Sequence, residues 1–215
     1  MMYGFCHAVD ATASRRIMTE QLHLIHDSKL DRHLQLHILC HGDPKSFLWL
    51  PSFVDSYGIK NIKVEYSRSD TKEYEFPSLM KLQSFCDNLV YDSNILYFHH
   101  KGAYSNEHWH RHLLEYWTLT EWKKCVEKLD EGFDVVGYRA GLNCRTKKQW
   151  VPGNFWWAKS SFIQKLPRII LPSKDKLDVA PHINNIATPY HVRYQCELWI
   201  GKVDHKAYSM QPYKG

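Results

Sequence analysis

The stretch NILYFHHKG, Asn94 to Gly102, is apolar and aromatic from Ile95 to Phe98 and then turns polar at once. A short apolar run of that kind reads as a buried strand. It ends in two imidazoles, an ammonium and a glycine. Working outward, strand and helix patterns alternate on both sides of it. YGFCHAV reads as a strand and ATASRRIMTEQLHLIHDSKL as a helix. LQLHILCHG follows as a strand, with Leu36, Ile38 and Cys40 on one face. A shorter helical piece lies near PSFVDSYG, and NIKVEYSR is a third strand. FPSLMKLQSFCDNLV is a helix with Pro77 in its first turn, where a missing N–H costs nothing. Beyond NILYFHH, the segment NEHWHRHLLEYWTLTEWKKCVEKLDEG reads as one long helix. Leu113, Trp117, Cys125 and Leu129 share a face of it, and Gly132 ends it. DVVGYRAG is a fifth strand. WVPGNFWWAKSSFIQKLP then reads as turn, short strand and short helix, KDKLDVAPHINNIATP as loop, and HVRYQCELWIGKV as a last helix or strand.

This alternation predicts an α/β fold, a central mixed but mostly parallel sheet flanked by helices in a single domain over residues 1–215. In such sheets ligands gather at the carboxyl ends of the strands. That rule selects His7, Ala8, Val9 and Asp10; His41 to Asp43; Ser67 to Asp70; His99 to Lys101; and Tyr138 with Arg139.

Bulk properties narrow the classes. A chain of 215 residues with 44% hydrophobic content suits one globular domain, and at this length roughly 70% of the unfolded surface is buried without staples. Cys6, Cys40, Cys86, Cys125, Cys144 and Cys196 are widely separated and show no CxxC or zinc spacing. They read as reduced thiols of a cytosolic-type compartment. MMYGFCHAVDATASRR lacks the apolar core of a signal peptide, and no apolar run approaches the roughly 18 residues of a membrane span. The expectation is a cytoplasmic protein. A formal charge of +5 favours an anionic ligand. No Lys/Arg cluster of the kind a nucleic-acid groove needs stands out, so nucleic acid is not expected as a partner. Oligomeric state leaves no mark in the sequence.

Several stretches can carry chemistry. In HHKG, Lys101 is a point charge with three donors, the histidines add more, and Gly102 admits a ligand close to the backbone; this fits a phosphate or diphosphate. The competing reading is a strand end that meets solvent. Neither GxGxxG nor GxxxxGK[ST] occurs, which removes support for Rossmann cofactors and P-loop nucleotides. His108 and His112 lie four residues apart on a helix, as metal ligands can, but without the acid of an HExxH motif; a solvated helix start is the alternative. In PGNFWWAKSSF, Gly153 and Asn154 make a turn and Phe155, Trp156 and Trp157 follow. One face of that strand enters the core; the other either joins it or forms a wall for a sugar or base. In RYQCELWIG, Glu197 sits in an apolar run, either paired with Arg193 or poised as a general base.

In order, ILYFHHKG, a Trp-rich helix, DVVG, GNFWWAKSSFIQKLP and RYQCELWIG resemble a glycosyltransferase domain of the GT-A type, over Tyr3 to about Lys202. The set is similar to the N-terminal domain of multidomain glycosyltransferases of chlorella viruses. The resemblance implies transfer of a hexose or deoxyhexose, glucose or rhamnose, from a UDP-sugar to a glycan acceptor. Its setting would be viral capsid glycosylation in the host cytoplasm. It also implies roles. His7, Ala8, Val9, Ser78 and Leu82 would lie along the nucleotide. His99 and Lys101 would face the diphosphate. Asn154, Trp156 and Trp157 would shape the sugar and acceptor pocket, and Glu197 would be the catalytic carboxylate that takes the proton from the acceptor hydroxyl. Asp134 is a second acid, at a strand start where a structural role fits it better. GT-A enzymes end the equivalent strand in Asp-x-Asp, which holds a divalent metal; here the slot reads His99-His100-Lys101. Lys101 can supply the positive charge of a metal, or His99 can still ligate Mn²⁺. Dependence on Mn²⁺ or Mg²⁺ is therefore open. So is the alternative of a non-catalytic sugar-binding module, and so is membership of a longer enzyme, given the end at SMQPYKG.

Overall fold

A computed structural model of the chain describes residues 1–103, 108–139, 141–142, 149–174 and 192–211. Strands β1 (Met2–Val9), β2 (Leu34–His41), β3 (Ile62–Ser67) and β4 (Asn94–His99) form a parallel block with β1 between β2 and β4. They are joined by α1 (Ser14–Asp27), α2 (Leu50–Ser56) and α3 (Phe76–Asp87). After β4 come α4 (His108–Glu115), α5 (Trp122–Asp130), β5 (Val135–Gly137) and a small ribbon of β6 (Gly141–Leu142) with β7 (Gln149–Trp150). Then follow β8 (Trp156–Lys159), α6 (Ser160–Ile163), α7 (Val192–Trp199) and β9 (Ala207–Ser209). The main sheet runs β3-β2-β1-β4-β8-β5-β9. Only β8 is antiparallel to its neighbours, so the sheet is mixed but mostly parallel, as expected.

Period-2 alternation sends side chains to opposite faces. Cys6, Ala8, Ile38, Cys40, Leu96, Phe98, Val136 and Trp157 pack with α1, α2, α4 and α5. Phe5, Leu39, Ile95, Tyr97, Val135, Trp156 and Ala158 pack with α3, α6 and α7. Helices therefore cover both faces, which is why the central strands β1 and β4 are buried almost continuously, whereas the edge strand β3 alternates Ile62 and Val64 with Lys63 and Glu65.

The single long helix is corrected. Residues Tyr116–Thr120 form a π-helical turn between α4 and α5. The wider turn shifts the phase of the apolar face. Leu114, Leu119, Trp122, Cys125 and Leu129 are buried, whereas Leu113 and Trp117 are only partly so. Carbonyls around the π turn find side-chain partners: Trp157 Nε1 donates to Thr118 O at 2.9 Å and Cys125 Sγ to Trp117 O at 3.2 Å. Gly132, at φ +94°, does end α5. Strand β9 is a second departure. It lies parallel to β5, tied by Asp134, whose Oδ2 accepts from Lys206 N at 2.8 Å. That contact gives Asp134 the structural role expected of it.

Candidate functional site at the strand ends

The polar strand ends lie side by side because the register demands it. His7 is level with His99, and Val9 with His41. The His100 amide donates to His7 O at 3.1 Å, and the Asp10 amide to His41 O at 2.9 Å. His7, His41 and His99 each lie two residues beyond Phe5, Leu39 and Tyr97, so their rings point to the same, α3 side of the sheet. His100, one residue on, points to the other.

On the α3 side, His7 Nδ1 and His41 Nε2 each lie 2.8 Å from Ser78 Oγ, and His41 Nδ1 lies 2.6 Å from Ser69 Oγ. The two rings stand 4.6 Å apart. Burial, then the neighbouring His41, His99 and His100, hold His7 well below the usual histidine range. Burial lowers His41 to about 4. His100 falls to about 3, through burial first and then His99 and Arg111. These imidazoles are neutral at pH 7 and offer hydrogen bonds without charge.

Beside them lies a second buried network. Glu75 Oε2 accepts from Tyr97 OH at 2.9 Å and from Asn154 Nδ2 at 2.6 Å; Asn154 Oδ1 accepts from Trp156 Nε1 at 2.7 Å. His99 Nε2 is 2.9 Å from Gly153 O, and its Nδ1 is 3.8 Å from Glu75 Oε1. Gly153 has φ +80°, and a Cβ there would sit 2.7 Å from Leu114 Cδ1 and 3.5 Å from Lys101 Cε. The positive φ and the close approach of Leu114 call for a glycine here, with the Lys101 stem in ordinary contact beside it. Lys101 is half-buried, is followed by Gly102 at φ +83°, and makes no ion pair among the described residues. The main-chain end of β4 is held from the opposite face. Gln21 Nε2 donates to His99 O at 3.1 Å and to Glu115 Oε1 at 2.9 Å. Glu115 in turn pairs with the buried Arg111.

The structure thus joins His7 with Ser78, and places His99 and Lys101 at the same strand end. It redistributes the rest. Leu82 and Ala8 are 0% exposed and belong to the two cores, so neither side chain reaches a ligand. Val9 packs against Ile17 and Ala103. Trp156 and Trp157 are also 0% exposed and Asn154 is 1% exposed. This corrects the expected aromatic wall: both indole N–H groups donate inward, and the three side chains build the floor beneath the site rather than its lining. The His99 ring nitrogens lie toward Gly153 O and Glu75 in the ligand-free chain. Among the described residues no three His, Cys, Asp or Glu side chains converge as a ready-made ion site. That includes His108 and His112; His112 stands 3.5 Å from Glu115.

Glu197 lies on α7, 7% exposed, with no hydrogen bond or ion pair among the described residues. The side chain of Arg193, its expected partner, lies outside the described residues. The preceding Cys196 is buried, and after burial itself Glu75 is the largest influence raising its thiol. Helix α7 therefore meets the Glu75 network. Glu75 was not singled out from the sequence, whereas His41 and Ser69 were selected as strand-end positions and Gly153 only as a turn residue. The available signal for Glu75 was its position just before Phe76-Pro77, where a helix begins.

The sequence matches the family described as a domain of unknown function, DUF8361, over residues 5–203, and the chain belongs to that family. No curated protein matches it. Among solved structures it is similar to the crystal structure of S. aureus TarS 1-349, with 7% identity and a TM-score of 0.42, over 97% of this chain and 60% of that one. The chain thus spans less than two thirds of that structure's length.

Proposed function

We propose that the chain is a glycosyltransferase moving a hexose or deoxyhexose from a UDP-sugar to a glycan acceptor, with the diphosphate seated on Lys101. The observation that carries the reading is the Lys101 ammonium, at the carboxyl end of a central strand, beside two positive-φ glycines and without an ion pair among the described residues. The neighbouring imidazoles His7, His41 and His100 are held neutral, so Lys101 supplies the charge that meets a diphosphate. An acceptor hydroxyl would attack the anomeric carbon as the bond to the β-phosphate breaks. UDP leaves with the electron pair, and Glu197 takes the hydroxyl proton. One carboxylate suffices, because a leaving group neutralised by a cation needs no protonation. A sugar-binding module without catalysis is less well supported, since the aromatic faces it would use are buried.

Calorimetric titration with UDP-glucose and UDP-rhamnose, with and without Mn²⁺, tests the donor. Micromolar binding that is lost in Lys101→Ala supports the reading; no binding under either condition overturns it. Product formation abolished in Glu197→Gln with donor binding intact separates an enzyme from a binding module.

A further inference from the structure

The chain Ser69 Oγ, His41 Nδ1, His41 Nε2, Ser78 Oγ, His7 Nδ1 is continuous, with separations of 2.6, 2.8 and 2.8 Å across its three gaps. Ser78 is 0% exposed and its hydroxyl has no other hydrogen bond among the described residues. A hydroxyl has one proton, and a neutral imidazole carries one N–H and one bare nitrogen. Ser78 must then donate to one ring and accept from the other. If it donates to His7, then His7 carries its proton on Nε2, His41 also carries its proton on Nε2, and Ser69 donates to His41 Nδ1. If it donates to His41, both rings carry the proton on Nδ1 and His41 donates to Ser69. Any other combination leaves a buried proton or lone pair unpaired, which interiors avoid. His7 Nε2, which makes no hydrogen bond among the described residues, is thereby a donor in one state and a bare acceptor in the other.

We propose that Ser69, His41, Ser78 and His7 are a tautomer-coupled relay that sets whether His7 offers a donor or an acceptor to the nucleobase of a bound nucleotide. Ser69, His41 and Ser78 are positioning residues; His7 is the reading group. A pyrimidine-dione edge, with an N–H between two carbonyls, can engage either state. An edge with only one kind of group must pull the whole relay one way, across to Ser69 in the loop after β3. The choice of a uridine nucleotide as ligand rests on the transferase reading; the coupling itself does not.

Long-range ¹H–¹⁵N correlation spectra of the imidazoles test it, with peaks assigned by His7→Gln and His41→Gln. The expected result in the ligand-free protein at pH 7 is that both rings are neutral and carry the proton on the same-named nitrogen. Opposite tautomers, or an imidazolium on either ring, overturn the proposal. Uridine monophosphate is then titrated into wild type and Ser78→Ala. Any change at His7 must appear in step at His41 in wild type and must stop at His7 in Ser78→Ala, with affinity weakened about tenfold, the loss of one hydrogen bond's worth of positioning. A response of His41 that survives in Ser78→Ala overturns the relay. Matched tautomers with no uridine monophosphate binding leave the relay standing and refute the nucleotide assignment instead.

Discussion

Replacing Arg111 with Met probes what holds the β4 strand end in place. Arg111 is 0% exposed, and its guanidinium lies 2.9 and 3.1 Å from the two Glu115 oxygens and 2.6 Å from Glu20 Oε2. Glu115 is equally buried and also accepts from Gln21, the residue that grips His99 O. Methionine fills similar volume but strands a carboxylate away from water. Breaking a buried pair from one side costs about 3–5 kcal/mol, which for a domain of this size lowers the melting temperature by about 6–20 °C. The pH dependence gives a sharper test. Burial pushes the Glu115 carboxyl above its ordinary range, and the attraction of Arg111 pulls it back. Without Arg111 the carboxyl rises further. A folded pKa above the unfolded one means that the folded state binds the proton more tightly, so stability falls as pH rises above the unfolded value. The deficit of Arg111→Met is therefore largest at pH 7 and shrinks as acid protonates Glu115. Urea unfolding followed by circular dichroism at pH 7 and pH 5 measures both numbers. The double variant Arg111→Met/Glu115→Leu should regain most of the loss, because no charge is then left buried. A deficit under 1 kcal/mol at pH 7, or one equal at the two pH values, would refute the account of this pair.

Three further outcomes are expected. In Gly137→Ala, the new Cβ would sit 2.4 Å from Val151 Cγ1 and 3.3 Å from Phe155 O, so denaturant titration should show a loss of about 1–3 kcal/mol. His7, His41 and His100 are depressed below their unfolded value. Their contribution is complete above about pH 6.5 and is lost on acidification towards their folded values, with a slope of up to about 1.4 kcal/mol per pH unit for each histidine; stability curves between pH 7 and pH 4 read this directly. Cys6, Cys40, Cys86, Cys125 and Cys196 are buried with thiols pushed up, to about 12 for Cys40, Cys86 and Cys125. In the native protein these five should resist an aromatic disulfide reagent at pH 8, and should all react on unfolding.

The parallel block was legible because β1, β2 and β4 are short, mainly apolar runs closed by turn or polar residues, β3 alternates apolar and polar residues, and strands and amphipathic helices follow one another in turn. The position of Lys101 at a strand end followed from that pattern alone. Three features were hidden for physical reasons. The π turn adds a residue per turn without any glycine or proline to mark it, inside a segment whose apolar spacing reads as one continuous helix. Strand β9 is three residues long and half-buried, held by pairing with β5 and by Asp134, neither of which is local in sequence. Trp156 and Trp157 do face opposite sides of a strand, but the sequence does not say that this short strand sits inside the sheet, between β4 and β5, with helices on both its faces. Once it does, both rings are core. The same tertiary closure brings Ser78 between His7 and His41, across 71 and 37 residues.

Strand β8 also bears on how the molecule moves. It is the seam of the sheet, pairing Leu96 with Trp157 on one side and Val136 with Trp157 on the other. Its successive tryptophans plunge into opposite layers, each anchored by its own indole hydrogen bond. For the β4 end to slide against the β5 end, both rings would have to withdraw together. The two halves of the sheet should therefore open as one cooperative unit. In native-state hydrogen exchange, the amides of β8 and β4 should belong to the slowest, globally unfolding class. A ligand at the strand ends meets a floor that is already rigid, so little ordering of the sheet remains to be done on binding.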